Sequence, residues 1–469
     1  MAAQITQIAF SIFLARLLTP AEYGLIGMLT VLSGFATVIG EAGLNSALVY
    51  LKDADEETFS TAFWMQLSIN LLFTVIFFFG AGWIAGFYGS PVLRPLTQLM
   101  SVTFVLQSVG SIQTAILSRH MNFKAIAIAT FAAALLSSIC ALVLALFGMG
   151  VWALAWQVIS NIVVLLIGTS LATKWRPRLC FSRPIAKKMT GYGTYLLLNN
   201  GINYWLRNGD NLLIGRSLGA APLGIYNRAY TLMLLPLQNI SSILGQVMFS
   251  TLSRTRDDMV EFRRLYIQSI RLIAIIAFPI MGGLSVLSLP IILVLYGSQW
   301  AGAAPILQIL SLVGLLQCII FPVGWIYNSL GYNKDQFRVT LILAPTFFVL
   351  IMLGLSYGLL GVTWGYAIWA VISGLLNMHA AGRLIGVTVF HYLALITRKA
   401  LATAIMMMIV AVAEPTITIS LGLVSGLCAC AAIGAFAYGA ALLALRDPDL
   451  SIVVEWARLT TIRALRQTT

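Results

Sequence analysis

The 469-residue chain is 60% hydrophobic and 9% charged, with a mean hydropathy of +0.93, values that exclude a soluble globular domain. A net charge of +13 could suit nucleic acid, but the basic residues sit in short stretches between apolar runs, where anionic lipid headgroups and not nucleic acid are the expected partner. Those runs are continuously apolar over about 20 residues, the length of a membrane-spanning helix and not the alternating pattern of a barrel strand.

Breakers divide the chain into fourteen candidate spans: 2–18, 24–49, 59–87, 92–118, 125–147, 150–173, 189–216, 222–252, 265–288, 302–330, 337–357, 359–382, 396–413 and 417–445. The first has neither a basic prefix nor a small-residue cleavage site, so it reads as a short span or a late start rather than a signal peptide. With the N-terminus placed in the cytoplasm, every basic residue except Arg16, Arg94, Arg207, Arg216 and Arg228 falls on the inside, as the positive-inside rule requires. Both termini are then cytoplasmic. The predicted organisation is an N-terminal six-helix lobe (1–173), a basic linker (174–188), a C-terminal six-helix lobe (189–384), an additional helix pair (385–445) and a basic tail (446–469) that could lie on the membrane surface as a helix.

An internal repeat supports the two lobes. Residues 14–26 (LARLLTPAEYGLI) align with 214–226 (IGRSLGAAPLGIY), matching Arg16 to Arg216, Leu18 to Leu218 and Gly24 to Gly224. Tyr88-Gly89-Ser90 returns as Tyr296-Gly297-Ser298, Phe123-Lys124 as Phe337-Arg338, and Gly150-Val151 as Gly361-Val362. Six spans per repeat, an even number, keep both copies in the same orientation, so the expected fold is an all-α polytopic membrane protein of two parallel bundles plus two extra helices.

Acidic residues are the most selective probe for a site, because a carboxylate at membrane depth must pair or face water. Most fall in loops, such as the run Asp53 to Glu57, read as a solvated loop that caps the next helix. Glu41 and Asp210 remain within the membrane. Asn199, Asn203, Arg207 and Asp210 are spaced 4, 4 and 3, along one face of the most polar span, with Asn211 beside them. This stripe is either a cavity wall, with amides for sugar hydroxyls and Arg207 for an anion, or a structural Arg207–Asp210 pair among interhelical amides. Asn45 lies one turn from Glu41, and Gln238, Asn239, Ser241, Ser242 and Gln246 make the eighth span polar at equivalent depth. Glu41 and Asp210 are candidates for proton or sodium coupling, or neutral acids bonded to a neighbouring helix. Arg16, Arg216 and Arg228 cluster at the outer ends of spans, where snorkelling competes with a gating or headgroup role. Four of the five cysteines lie in apolar runs and read as packing residues. No phosphate loop, Gly-x-Ser-x-Gly or HExxH motif occurs, and no metal or organic cofactor is expected.

The segments FLARLLTPAEYGLIGM, FATVIGEAGLNSALV, RHMNFKAIA and DNLLIGRSLGAAPLGIYNRAY together resemble the polysaccharide transporter family. That family belongs to the superfamily of multidrug exporters, oligosaccharidyl-lipid flippases and polysaccharide exporters, and the likeness is closest to its colanic acid and succinoglycan exporter branch. The resemblance implies two lobes in a V shape around a central cavity, and alternating access that carries an undecaprenyl-pyrophosphate-linked oligosaccharide from the cytoplasmic to the periplasmic leaflet of a bacterial inner membrane. It implies as partners the lipid-linked oligosaccharide, membrane lipids, and the polymerase and chain-length proteins of an export pathway. The competing readings are a cation-coupled multidrug exporter, and a glycan polymerase or ligase, which needs a larger outer loop than Leu289 to Ala303 provides. Similar chains carry a basic stretch before the first span, which this sequence lacks.

Overall fold

Helix boundaries fall where the sequence supplies caps. Thr19 and Glu22 form a reciprocal box at the start of the second helix: the Thr19 amide donates to Glu22 Oε2 (2.7 Å) and the Glu22 amide to Thr19 Oγ1 (3.4 Å). Asp55, Asn122, Asp258 and Thr388 each accept a first-turn amide at the head of a later helix. The computed structural model describes residues 2–41, 48 and 55–449. Its α-helices are α1 (Ala2–Leu17), α2 (Pro20–Glu41), α3 (Glu56–Tyr88), α4 (Leu93–Arg119), α5 (Phe123–Leu146), α6 (Val151–Thr173), α7 (Arg183–Leu218), α8 (Ala220–Arg254), α9 (Met259–Val286), α10 (Ser288–Leu295), α11 (Ala303–Ile320), α12 (Val323–Leu330), α13 (Asn333–Leu355), α14 (Gly358–Ile385), α15 (Val389–Leu421) and α16 (Leu423–Ala444). All regular structure among the described residues is helical. Large apolar side chains such as Phe79, Trp83, Val412 and Phe436 point outward, as expected of helices solvated by lipid.

The chain forms two compact units, Met1–Asn227 and Arg228–Thr469. In the first, α3 packs on α4, α5 on α6 and α4 on α6; in the second, α9 packs on α11, α13 on α14 and α11 on α14. These are the same pairs counted from the start of each sequence repeat, so the duplication extends to packing. In the repeated Tyr-Gly-Ser turns, Gly89 (φ 67°, ψ 25°) and Gly297 (φ 92°, ψ 175°) share a positive φ just beyond a helix end, which a side chain disfavours, but differ in ψ. The first helix of each repeat breaks the symmetry. Apolar α1 packs on α5 through Leu14, Leu18, Ala141 and Ala145, whereas polar α7 packs on α2 and α3.

Two more equivalent positions meet inside the first unit, where the opening turns of α2 and α8 cross. A Cβ on Gly24 would fall within the Ala220 carbonyl group, and one on Gly224 within the Pro20 carbonyl group. Pro20 and Ala220 are themselves 200 residues apart, so the contact is reciprocal, as at a two-fold axis. Only glycine lets two helix backbones approach this closely.

Several span limits need correction. Eleven described segments are long and apolar enough to cross a membrane, against fourteen expected. The other three are α1, which has 16 residues, and α7 and α8, which are long but polar. The span expected at 302–330 is two helices broken at Phe321 and Pro322. The break expected near Pro415 is absent, because α15 continues through that proline to Leu421; a membrane helix tolerates the lost hydrogen bond when neighbours pack around it. The second span is described only to Glu41, and the tail beyond residue 449 lies outside the described residues.

The helix pair α15–α16 packs on α9 and α10 through Ile275, Leu287, Met406, Val410, Cys430 and Tyr438. One end is fastened by buried charge. Lys399 Nζ lies 2.7 Å from Asp449 Oδ2 and 3.1 Å from Asp447 Oδ2, with Arg271 3.7 Å from Asp449. The five cysteines are unpaired thiols.

Candidate functional site

The polar helix α7 is 36 residues long, about 54 Å at the rise of an α-helix. Its docking on α2 decides which side chains remain open. Tyr204 Oη donates to the Val31 carbonyl (2.6 Å) and also lies 3.1 Å from that of Thr30, while Phe35 meets the rings of Tyr204 and Trp205 at 5.9 and 5.0 Å. Asn200, Asn203 and Arg207 stay exposed on the same helix. An exposed guanidinium such as Arg207 on a helix of membrane length must face water or a polar ligand, because lipid offers it no partner.

Asp210 is placed differently from the rest of the stripe. It shares the helical face but is 2% exposed and bonded to Tyr226 of α8. Tyr226 Oη donates to Asp210 Oδ2 (2.9 Å), and the Asn211 amide donates to Oδ1 (2.8 Å). The Arg207–Asp210 pair that the spacing allows does not form, and Arg207 has no ion pair among the described residues. Beside it, Asn211 Oδ1 is buried without a hydrogen-bond partner among the described residues. Glu41 is exposed at the end of α2, and no described hydrogen bond joins it to the α7 stripe. The Asn199 side chain and Asn45 lie outside the described residues.

Arg16 and Arg216 occupy the last turns of α1 and α7, where a cation complements the negative end of the helix dipole. Both are exposed, and the Arg216 guanidinium stands 5.2 Å from the Phe87 ring centroid. Arg228, in the second unit, lies 5.6 Å from Tyr296 and 6.0 Å from the buried Trp300. Cation–π contact therefore places two of the three arginines.

A polar cluster in the second unit escaped the sequence reading. Gln317 Nε2 donates to Tyr366 Oη (2.8 Å), which lies 3.3 Å from Tyr230 Oη, joining α11, α14 and α8. No common spacing links these residues; the available signal was a glutamine inside the apolar run ILSLVGLLQCII. On α8, Gln238 and Asn239 are exposed, while the side chains of Ser241, Ser242 and Gln246 lie outside the described residues. A separate cavity of about 730 Å³ between α9, α10, α15 and α16 is lined almost wholly by apolar side chains. It offers no partner for a polar headgroup, so the α7 stripe is the better candidate.

Residues 13–305 match the family described as "Polysaccharide biosynthesis protein". The chain is 28% identical over 416 residues to the teichuronic acid biosynthesis protein TuaB of Bacillus subtilis, covering 87% of this chain and 85% of that protein. It is 31% identical over 299 residues to the succinoglycan biosynthesis transport protein ExoT of Rhizobium meliloti, covering 64% and 60%. Among solved structures, the lipid II flippase MurJ in an inward closed conformation aligns with a TM-score of 0.78 at 16% identity, covering 95% of this chain and 98% of that one. That likeness is one of fold.

Proposed function

Because this chain belongs to the polysaccharide biosynthesis protein family, we propose that it moves an undecaprenyl-pyrophosphate-linked oligosaccharide from the cytoplasmic to the periplasmic leaflet of a bacterial inner membrane. The repeat lobes 1–173 and 189–384 are its moving parts, exchanging access by turns, and both termini are cytoplasmic. A polymerase and chain-length proteins act on the cargo after release. The work named for its relatives, teichuronic acid biosynthesis and succinoglycan transport, fits a glycan cargo.

The observation that carries this reading is Arg207, exposed on α7 and without an ion pair among the described residues. A pyrophosphate needs a cation to leave water, and Arg207 can offer two parallel N–H donors to its oxygens. Tyr226 satisfies Asp210, so the nearest carboxylate does not consume the guanidinium. Asn200 and Asn203 suit sugar hydroxyls, and Glu41, exposed at the end of α2, is the carboxylate for a coupling proton or sodium ion. The lipid tail stays in the bilayer throughout.

The test uses cells whose surface glycan depends on this chain. Arg207→Ala should lower surface polymer about tenfold, the loss of roughly one charge-assisted hydrogen bond, with lipid-linked precursor accumulating and the protein still in the membrane. Arg207→Lys should retain part of the activity, because it keeps the charge and loses the fork. Normal export by both Arg207→Ala and Asp210→Ala would overturn the site.

A further inference from the structure

The linker between α6 and α7 is bound to the first unit along its length. Trp175 packs edge-on against Phe59 and Phe63 of α3. The Arg178 amide donates to Ser60 Oγ (3.1 Å), Trp64 Nε1 donates to the Arg178 carbonyl (2.8 Å), and the Ser182 amide donates to Thr61 Oγ1 (3.1 Å). Arg178 also bridges Glu56 at 3.0 Å. These anchors run from the first residue of α3 to its ninth, about 12 Å along the helix axis. The chain therefore lies against the flank of α3 instead of projecting beyond its end. Immediately past the anchors, α3 exposes Leu71, Leu72, Val75 and Ile76, its lipid-facing surface.

What this segment turns outward is unlike a solvated loop. Leu179 is 93% exposed and Phe181 is 55% exposed. Around them Lys174, Arg176, Arg183 and Lys187 are exposed too, and no acidic residue occurs from Lys174 to Lys188. Two bare apolar side chains within a ring of cations match an interface where hydrocarbon and anionic headgroups meet.

We propose that residues 174–187 form an interfacial strap that binds anionic phospholipid, with Leu179 and Phe181 entering the acyl boundary while Lys174, Arg176, Arg183 and Lys187 hold headgroup phosphates. Pinning its backbone to α3 fixes the depth of the strap, so the first unit is tied to one leaflet at a set height. The charge distribution makes that leaflet the cytoplasmic one. The assignment depends on the helical membrane fold and not on which cargo is carried.

The full chain with its five cysteines replaced by serine, carrying Leu179→Cys or Phe181→Cys and an environment-sensitive dye, is reconstituted in vesicles of phosphatidylcholine alone or mixed with phosphatidylglycerol. Asp257→Cys, in an exposed loop, serves as the aqueous reference. The dye at 179 and 181 should emit to the blue of that reference and be quenched by lipids carrying a quencher near the headgroup. Quenching should rise about twofold with phosphatidylglycerol and return to the phosphatidylcholine level at high salt. It should also return to that level when Arg176, Arg183 and Lys187 are changed to Gln. Emission matching the reference in both lipids would overturn the proposal. So would a response that appears only when a polyprenyl pyrophosphate is added, because the strap would then be a cargo site.

Discussion

Gly24 and Gly224 form a matched pair whose substitution tests the duplicated crossing of α2 and α8. An alanine Cβ at 24 would enter the Ala220 carbonyl group and lie 2.9 Å from Ala220 Cα. One at 224 would enter the Pro20 carbonyl group and lie 3.1 Å from the Gly24 nitrogen. Packed heavy atoms need roughly 3.5 Å, and both obstacles are backbone, so the helices must part by about 1 Å or more. Overpacking costs about 1–3 kcal/mol, and rigid obstacles put each single variant near the upper end, about 3 kcal/mol. Because separating the helices for one Cβ makes room for the other, the double variant should cost less than the sum by at least about 1 kcal/mol. Gly82 has nothing within 4 Å, so Gly82→Ala should be stabilising by about 0.5–1 kcal/mol through helix propensity. Unfolding of the purified protein in detergent, followed by circular dichroism, measures all four. Single variants within about 0.5 kcal/mol of the parent, or a fully additive double, would refute the reciprocal contact.

Two further outcomes concern charge. Lys399→Met leaves Asp447 and Asp449 buried without their shared cation and should cost about 3–5 kcal/mol, and adding Asp447→Asn and Asp449→Asn should recover much of that loss in the same unfolding assay. Asp55→Ala removes the cap of α3 and should cost about 1 kcal/mol. The Thr58 hydroxyl, and then the Thr58 amide, hold the Asp55 carboxyl below its usual value of 3.8. The unfolded chain thus binds this proton first as pH falls, so the contribution is whole above about pH 4 and disappears as pH drops through the folded value. Asp55→Asn should flatten that part of the stability–pH curve.

Much of the architecture was legible because lipid imposes local rules. A run of about 20 apolar residues reads as a span without knowledge of its neighbours, and eleven of the fourteen spans read in this way overlap helices of the structure that meet the length and apolarity of a crossing. The Asp53–Glu57 run was read as a cap, and Asp55 is one. Length and polarity misled where packing overrides them. Pro415 looked like a break and is not, while α7 and α8, read as ordinary spans, are longer and more polar than most of the others, and α7 packs on α2 and α3.

The candidate site divides in the same way. Spacing identified the α7 stripe, because residues four apart share a helix face whatever the fold. Whether a polar group on that face is open or covered depends on what packs there, and a helix period contains no such information. Asp210 is closed by Tyr226, Arg207 is left open, and Gln317 meets Tyr366 from 49 residues away. The linker read simply as basic, yet bonds to α3 across 114 to 121 residues turn it into a strap with a defined outward face. The sequence alone determined that this is a duplicated helical membrane protein, since hydropathy acts residue by residue. The tertiary structure alone decided which polar groups are satisfied within the protein and which remain for a ligand or a lipid, since a hydrogen bond between helices depends on distance in space and not on separation along the chain.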